Sequence, residues 1–166
     1  MIDFGDDISF IRENRLFRLR AAAVIVHDDH VLMAGNEQNS YLYSVGGAVQ
    51  FGETIEEALV REVREETGHE LAIARLLAIH QNFFVDTECG KEAWHELAFY
   101  YLMEGWPASL NGATSLNMTG VAERLVWVPL ARFADHKAFP LFFAELKTML
   151  NEPAPRFVVT RESLPE

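Results

Sequence analysis

A single cysteine, Cys89, is the scarcest feature of these 166 residues, and it excludes an internal disulfide or a metal site built from several thiolates. Positive charge is also short: 14 Lys plus Arg stand against 25 Asp plus Glu, leaving a formal charge of −11. So acidic a surface repels phosphate backbones, and no basic stripe offsets it, so duplex nucleic acid is not an expected partner. Long apolar runs are missing too. Nothing approaches the roughly 18 consecutive apolar residues of a membrane-crossing helix, so no membrane partner is expected. Residues Met1 to Asp7 are acidic where an export signal would be basic and then apolar, which makes the cytoplasm the expected location. Repeats, low-complexity tracts and mid-chain Pro/Gly/Ser linkers are absent, and a composition 49% hydrophobic and 23% charged is that of a folded globular chain. The length suits one domain, residues 1–150, with 1–14 as an N-terminal extension or edge strand and 151–166 as a C-terminal tail.

Several catalytic signatures are incomplete. Gly47-x4-Gly52 opens like a phosphate-binding P-loop, but Glu53-Thr54 stands where Lys-Ser/Thr is needed, and a carboxylate cannot do that lysine's work. His95-Glu96 opens a zinc-protease pattern whose second histidine is replaced by Phe99. No serine is flanked as Gly-x-Ser-x-Gly.

What is present reads as alternating strands and helices. Residues 16–27 read as a strand, Asp28-Asp29 as a turn, and 30–34 as the returning strand. Three glycines between Tyr41 and Gly52 mark tight turns or close backbone approach. Further strands are predicted within 71–85, 94–103 and 125–128, and a C-terminal helix over 139–150 with Pro140 in its first turn. In the tail, Phe157-Val158-Val159 has the character of an edge strand. Strands interleaved with two helices predict a mixed α/β layered fold.

The informative stretch is a helix starting at Thr54, where Thr54-Ile-Glu-Glu57 forms a capping-box pattern, and ending at Gly68. With Ile55 set at zero and about 100° per residue, Leu59, Val63 and Ala58 fall at about 40°, 80° and 300°, defining the inward sector. Glu66 and Glu62 fall inside it, at about 20° and 340°, and Glu65 at its border, about 280°. Acids three and four residues apart repel one another, and facing inward they also lose hydration. Without positive charge the arrangement costs stability. A hard divalent cation with oxygen ligands removes the conflict.

The spacing Gly47-x5-Glu53-x7-Arg61-Glu62-Val63-x-Glu65-Glu66-x-Gly68-His69 resembles the Nudix box of the Nudix hydrolase family. The resemblance implies a Nudix-like α/β/α sandwich with a mixed β-sheet. It also implies hydrolysis of a nucleoside diphosphate linked to another moiety, with Mg²⁺ or Mn²⁺ as cofactor. By the same resemblance Glu62, Glu65 and Glu66, helped by the carbonyl of Gly46, hold the metal, and Arg61 and Glu53 form an ion pair that fixes the box loop. The general base is Glu62, or else a later glutamate, Glu123 or Glu96. Gly47 permits close approach to phosphate. Substrate contacts are sought in Arg18 and Arg20, on one face of the first strand, and in Tyr43, Phe83, Phe84 and Tyr100 as stacking rings. Two positions depart from the family pattern: His69 ends the box where an aliphatic residue is usual, and Ser44-Val45 precedes Gly46-Gly47 where Leu-Pro is common. Phe84 and Val85 also lack the proline and tyrosine of the ADP-ribose and dinucleoside-polyphosphate subfamilies. The expected partner is a small anionic nucleotide-type substrate, and a homodimer is a family analogy. The alternative reading is a Nudix-fold module that binds a nucleotide for regulation without turnover.

Overall fold

The computed structural model describes residues 6–86, 92–106, 114–116 and 122–161. The first half of the chain forms β1 (Ser9–Arg12), β2 (Arg15–Val24), β3 (Val26–His27), β4 (His30–Asn36), β5 (Leu42–Ser44), β6 (Gly46–Ala48) and α1 (Ile55–Thr67). The second half forms β7 (Ala72–Asp86), β8 (Glu92–Glu104), β9 (Thr114–Leu116), β10 (Ala122–Pro129), β11 (Ala138–Phe139), α2 (Leu146–Met149) and β12 (Arg156–Arg161). Two 3-10 segments, Leu130–Asp135 and Leu141–Glu145, lead into β11 and α2. No helix among the described residues is long and apolar enough to cross a membrane.

The strands make two six-stranded sheets: β1-β2-β8-β7-β12 with β6 beside β2, and β11-β5-β4-β10-β9 with β3 beside β4. Both are mixed, since β2–β8, β7–β12 and β5–β11 run parallel while the other pairs are antiparallel. The layering follows from β2, whose interior reads Ala21-Ala22-Ala23-Val24. Side chains alternate across a strand, so neighbours serve opposite layers. Ala21 and Ala23 pack with Ala58, Leu59 and Val63 of α1. Ala22 and Val24 pack with Phe142, Phe143, Leu146 and Met149 of the C-terminal segment. The α/β class and the helix–sheet–helix layering are as the sequence suggests.

α1 is set by its ends. Thr54 caps it, accepting from the Glu57 N–H at 3.1 Å while the Glu57 carboxylate accepts from the Thr54 N–H at 2.8 Å. Gly68 closes it in the left-handed region, φ 76°.

Three details differ from expectation. The strands divide into two sheets instead of one. The strand expected over 16–27 breaks at Ile25, because the chain there leaves the first sheet and β3 pairs with β4 in the second. The helix expected over 139–150 is shorter: Phe139 is extended and pairs with Tyr43, Pro140 is extended at ψ 149°, and only Leu146–Met149 is α-helical. A residue before proline is biased towards extended backbone, and Phe139 follows that bias. The last described residues, Arg156–Arg161, run alongside β7 in the register Phe157↔Ile79.

Candidate active site

The loop ahead of α1 is built on close backbone approach. β6 pairs with β2 through Ala22↔Gly46 and Ala21↔Gly47. Gly46 has φ 134°, and a Cβ there would overlap the Ala21 carbonyl. A Cβ on Gly47 would land on the Glu62 carboxylate. At Gly46 backbone leaves room only for glycine, while at Gly47 a Cβ would push the Glu62 carboxylate aside.

Arg61 ties this loop to the helix. Its Nε and Nη2 donate to the two oxygens of Glu53 at 2.7 and 2.9 Å, and Nη2 also donates to the Ala48 carbonyl at 3.0 Å. Its Nη1 reaches Glu62 Oε1 at 2.6 Å. Glu53 in turn accepts from the Gln50 N–H at 3.0 Å. Hydrogen bonding to Arg61 holds the Glu53 carboxyl below the usual range, and the Glu53 bond raises Arg61 despite burial. The forked geometry of arginine on carboxylate makes this a rigid brace.

Two of the predicted acids point inward. Glu66 Oε1 accepts from the Gly46 N–H at 3.1 Å, while its Oε2 is buried with no hydrogen-bond partner. Burial, then the charge of Glu123, pushes Glu66 well above the ordinary carboxylate range, and Arg20 opposes this. Burial likewise raises Glu62, with Arg61 pulling the other way. Glu65, placed at the sector border by its helical angle, lies at the rim, its side chain 58% exposed and 3.6 Å from Arg61 Nη1.

Glu123 is brought in from the second sheet. It faces Asn36 across β10 and β4, and accepts from the Tyr43 hydroxyl at 2.5 Å. Asn36 Nδ2 donates to the same Tyr43 oxygen at 3.1 Å. Burial, then Glu123, raises Tyr43 far above its ordinary value, so the phenol keeps its proton and remains a donor.

Among the described residues no group of three acid, histidine or cysteine side chains already forms a metal cage. What the site offers is a buried carboxylate oxygen lacking a partner, with Glu62 beside it and Glu123 close enough to raise its pKa. That donor set fits Mg²⁺ or Mn²⁺. Magnesium usually takes one or two carboxylates and completes its shell with waters and substrate phosphates, so a closed protein cage is not required.

Arg18, Arg20 and Glu96 share the face of the first sheet that also carries Ala22 and Tyr100, through Arg18↔Glu96 and Arg20↔Ala98 in the register of β2 and β8. Arg18 donates to Glu96 Oε2 through Nε at 2.8 Å and through Nη2, and its guanidinium lies 4.8 Å from the Trp94 ring centre. Arg20 is buried, donating to the Ser44 carbonyl at 2.7 Å. Burial works to raise the Glu96 carboxyl, but Arg18 and Arg20 outweigh it and leave it lowered. Tyr100 is in the core, its phenol pushed up to about 12 by burial.

Phe83 is not brought to this group. It stacks on His95 at 4.3 Å on the opposite face of the sheet. Phe84 is on the Arg18 face, stacked on Trp94 at 5.4 Å. His69 packs 6.5 Å from Trp106, a ring contact in place of the aliphatic one. Asn36 and Trp94 were not singled out in the sequence, and no local signal marks them. Their roles come from cross-strand register.

The family model described as NUDIX domain matches residues 17–147. The ADP-ribose pyrophosphatase of Methanocaldococcus jannaschii is 35% identical over 78 residues, covering 43% of this chain and 46% of that protein. The CTP pyrophosphohydrolase of Escherichia coli is 34% identical over 83 residues, covering 48% of this chain and 62% of that protein. The chain thus spans less than two thirds of the length of the curated relatives it matches. Among solved structures, a MutT protein from Methanosarcina mazei Go1 superposes with TM-score 0.61 at 20% identity, over 82% of this chain and 96% of that one. At that identity the likeness shows the fold alone.

Proposed function

The chain belongs to the Nudix family, and from that membership we propose that it is a pyrophosphohydrolase dependent on Mg²⁺ or Mn²⁺, cleaving the diphosphate linkage of a nucleotide or nucleoside-diphosphate derivative. The observation that carries this reading is Glu66, a buried carboxylate with one oxygen held by Gly46 and the other without a partner. A buried unpaired carboxylate is costly, and a dication held there would offset that cost. The names of two relatives, an ADP-ribose pyrophosphatase and a CTP pyrophosphohydrolase, support a nucleotide that contains a diphosphate linkage as the substrate class.

Glu66, Glu62 and the Gly46 carbonyl would hold the metal, with Glu65 contributing from the rim. When bound, the ion would neutralise the diphosphate and make a coordinated water more acidic. Glu62 is the proposed proton acceptor, steadied by Arg61 on one oxygen. Glu123, held by Tyr43, flanks the acids from the second sheet. Glu96 is assigned to positioning Arg18 and not to proton transfer, because its buried carboxylate is committed to that guanidinium. Arg18, braced by Glu96 and Trp94, is the proposed cation for substrate phosphate or base. Arg20 is assigned to the buried framework, where it holds Ser44 two residues ahead of Gly46.

The test is formation of the nucleoside monophosphate over a nucleotide panel with Mg²⁺ or Mn²⁺, read by chromatography, together with Mn²⁺ uptake by calorimetry. In Glu66→Gln, turnover should drop by about 100-fold or more, and Mn²⁺ should bind more weakly. Unchanged turnover in that variant defeats the site assignment. Saturable nucleotide binding by the wild type with no turnover would favour the regulatory module.

A further inference from the structure

Glu123 approaches the acids of α1 from another element, β10, and is held there by hydrogen bonds whose direction is fixed. They begin at a turn. Asn36 Oδ1 accepts from the Gln38 and Asn39 N–H groups, each at 2.9 Å. Two backbone donors on that oxygen decide which end of the amide is which, because an NH₂ group cannot accept them. Nδ2 is therefore the end that meets the Tyr43 hydroxyl, at 3.1 Å, and it can only donate. The Tyr43 oxygen receives that N–H and turns its own proton to Glu123 Oε1 at 2.5 Å. Asn36 and Glu123 are both buried, so solvent has little access to replace either bond.

Strand position sets each link. Asn36 and Glu123 face each other across β4 and β10, and Tyr43 lies on β5, paired to β4 through Ala34. The arrangement works against a repulsion. The charge of Glu123 helps push Glu66 upward, which is what two carboxylates near one another do. A carboxylate so placed turns away unless a donor holds it, and the Tyr43 hydroxyl is such a donor.

Resting on the hydrolytic reading, we propose that Asn36 and Tyr43 are positioning residues for the reaction: their relay keeps Glu123 turned towards Glu66, so that the acids of β10 and α1 are gathered before substrate arrives. Both act through Glu123. Asn36 fixes which way the Tyr43 proton points, and Tyr43 fixes where the carboxylate stands. A ring that stacks on a nucleobase is a different role for Tyr43, and it needs the ring without the hydroxyl.

Two measurements on the full chain test this. Without substrate, the melting temperature reads the direction of the relay. Asn36→Asp keeps an acceptor for both backbone N–H groups but sets a second carboxylate on the Tyr43 hydroxyl, which has one proton to give. It should lower the melting temperature by about 5 °C. Adding Glu123→Gln reverses the relay, with the introduced amide donating to Tyr43 and Tyr43 donating to the introduced carboxylate, and should recover most of that loss. With the nucleotide panel, Tyr43→Phe should lower kcat about 10-fold or more with KM within about 2-fold. In a Glu123→Gln background the same change should alter kcat little, because Tyr43 acts through that residue. Should Asn36→Asp fail to fold, this second comparison carries the test alone. Thermal losses that add without recovery, a kcat untouched by Tyr43→Phe, or equal losses in both backgrounds overturn the proposal. A wild type that turns over no nucleotide while the thermal recovery still appears defeats the hydrolytic reading instead, and with it the role but not the relay.

Discussion

At Gly47 one missing carbon determines where a carboxylate can lie. The Glu62 side chain occupies the space a Cβ would fill, so Gly47→Ala must displace that carboxylate while leaving the backbone free to stay in place. Displacements of about 1 Å near the chemistry cost on the order of 100-fold in rate. Gly47→Ala should therefore lower kcat by about 10- to 100-fold, with stability falling by no more than about 1 kcal/mol. Steady-state kinetics alongside urea denaturation would check the split. Comparable losses in both would mean the loop itself had collapsed. Residue identity made this site partly legible. Helical angles placed Glu62 and Glu66 inward and Glu65 at the border, and those positions match their burial. The pairs Arg18–Glu96 and Tyr43–Glu123 were not legible, since their members lie 78 and 80 residues apart and meet only through strand register. Phe83 shows the same limit from the other side. Its aromatic character suited a stacking role, but parity in β7 turns it away from Arg18.

Among elements, α1 was the most legible because both its ends are written in local sequence. Thr54 and Glu57 satisfy each other's backbone N–H groups. Thr54→Ala removes one of those bonds, and N-cap losses of this kind cost about 1 kcal/mol. For a chain of this size, the melting temperature should fall by about 2–4 °C with little change in kcat. A drop well beyond that would show that the cap also anchors the loop held by Arg61. The C-terminal helix was less legible for a physical reason. Phe139, Phe142 and Phe143 have no helical obligation of their own, and tertiary contacts decide their backbone. Phe139 pairs with Tyr43 as a strand, while Phe142 and Phe143 fill the layer beneath Tyr100 in a tighter 3-10 turn.

At the scale of the whole molecule, the division into two sheets was hidden because strand propensity does not reveal partners. His80 joins distant parts of the first sheet. It is 2% exposed, and its Nε2 donates to Thr160 Oγ at 2.7 Å, which donates onward to Asn82 at 2.6 Å. The other ring nitrogen, Nδ1, is buried without a partner. Burial lowers the imidazole to about 4 from 6.5, with Glu96 opposing. An unfolded chain therefore takes up this proton first as pH falls. The contribution is complete above about pH 6.5 and is lost progressively towards pH 4, roughly 2 kcal/mol of it between pH 7 and 5. Urea titrations at those two pH values should show the wild type losing about 2 kcal/mol more than His80→Gln. Parallel losses would remove His80 from the account. The alanines of β2 have a different consequence. With nothing longer than a methyl on Ala21 to Ala23, β2 adds little thickness of its own, and the layers on its two sides are spaced by the side chains packed on it, Leu59 and Val63 on one and Phe142 and Phe143 on the other. Rotamer changes within the alanine stretch cannot adjust that thickness. Drift in ligand preference among descendants of this chain can arise at Arg18 and its neighbours, on the same strand, while the alanine stretch stays untouched.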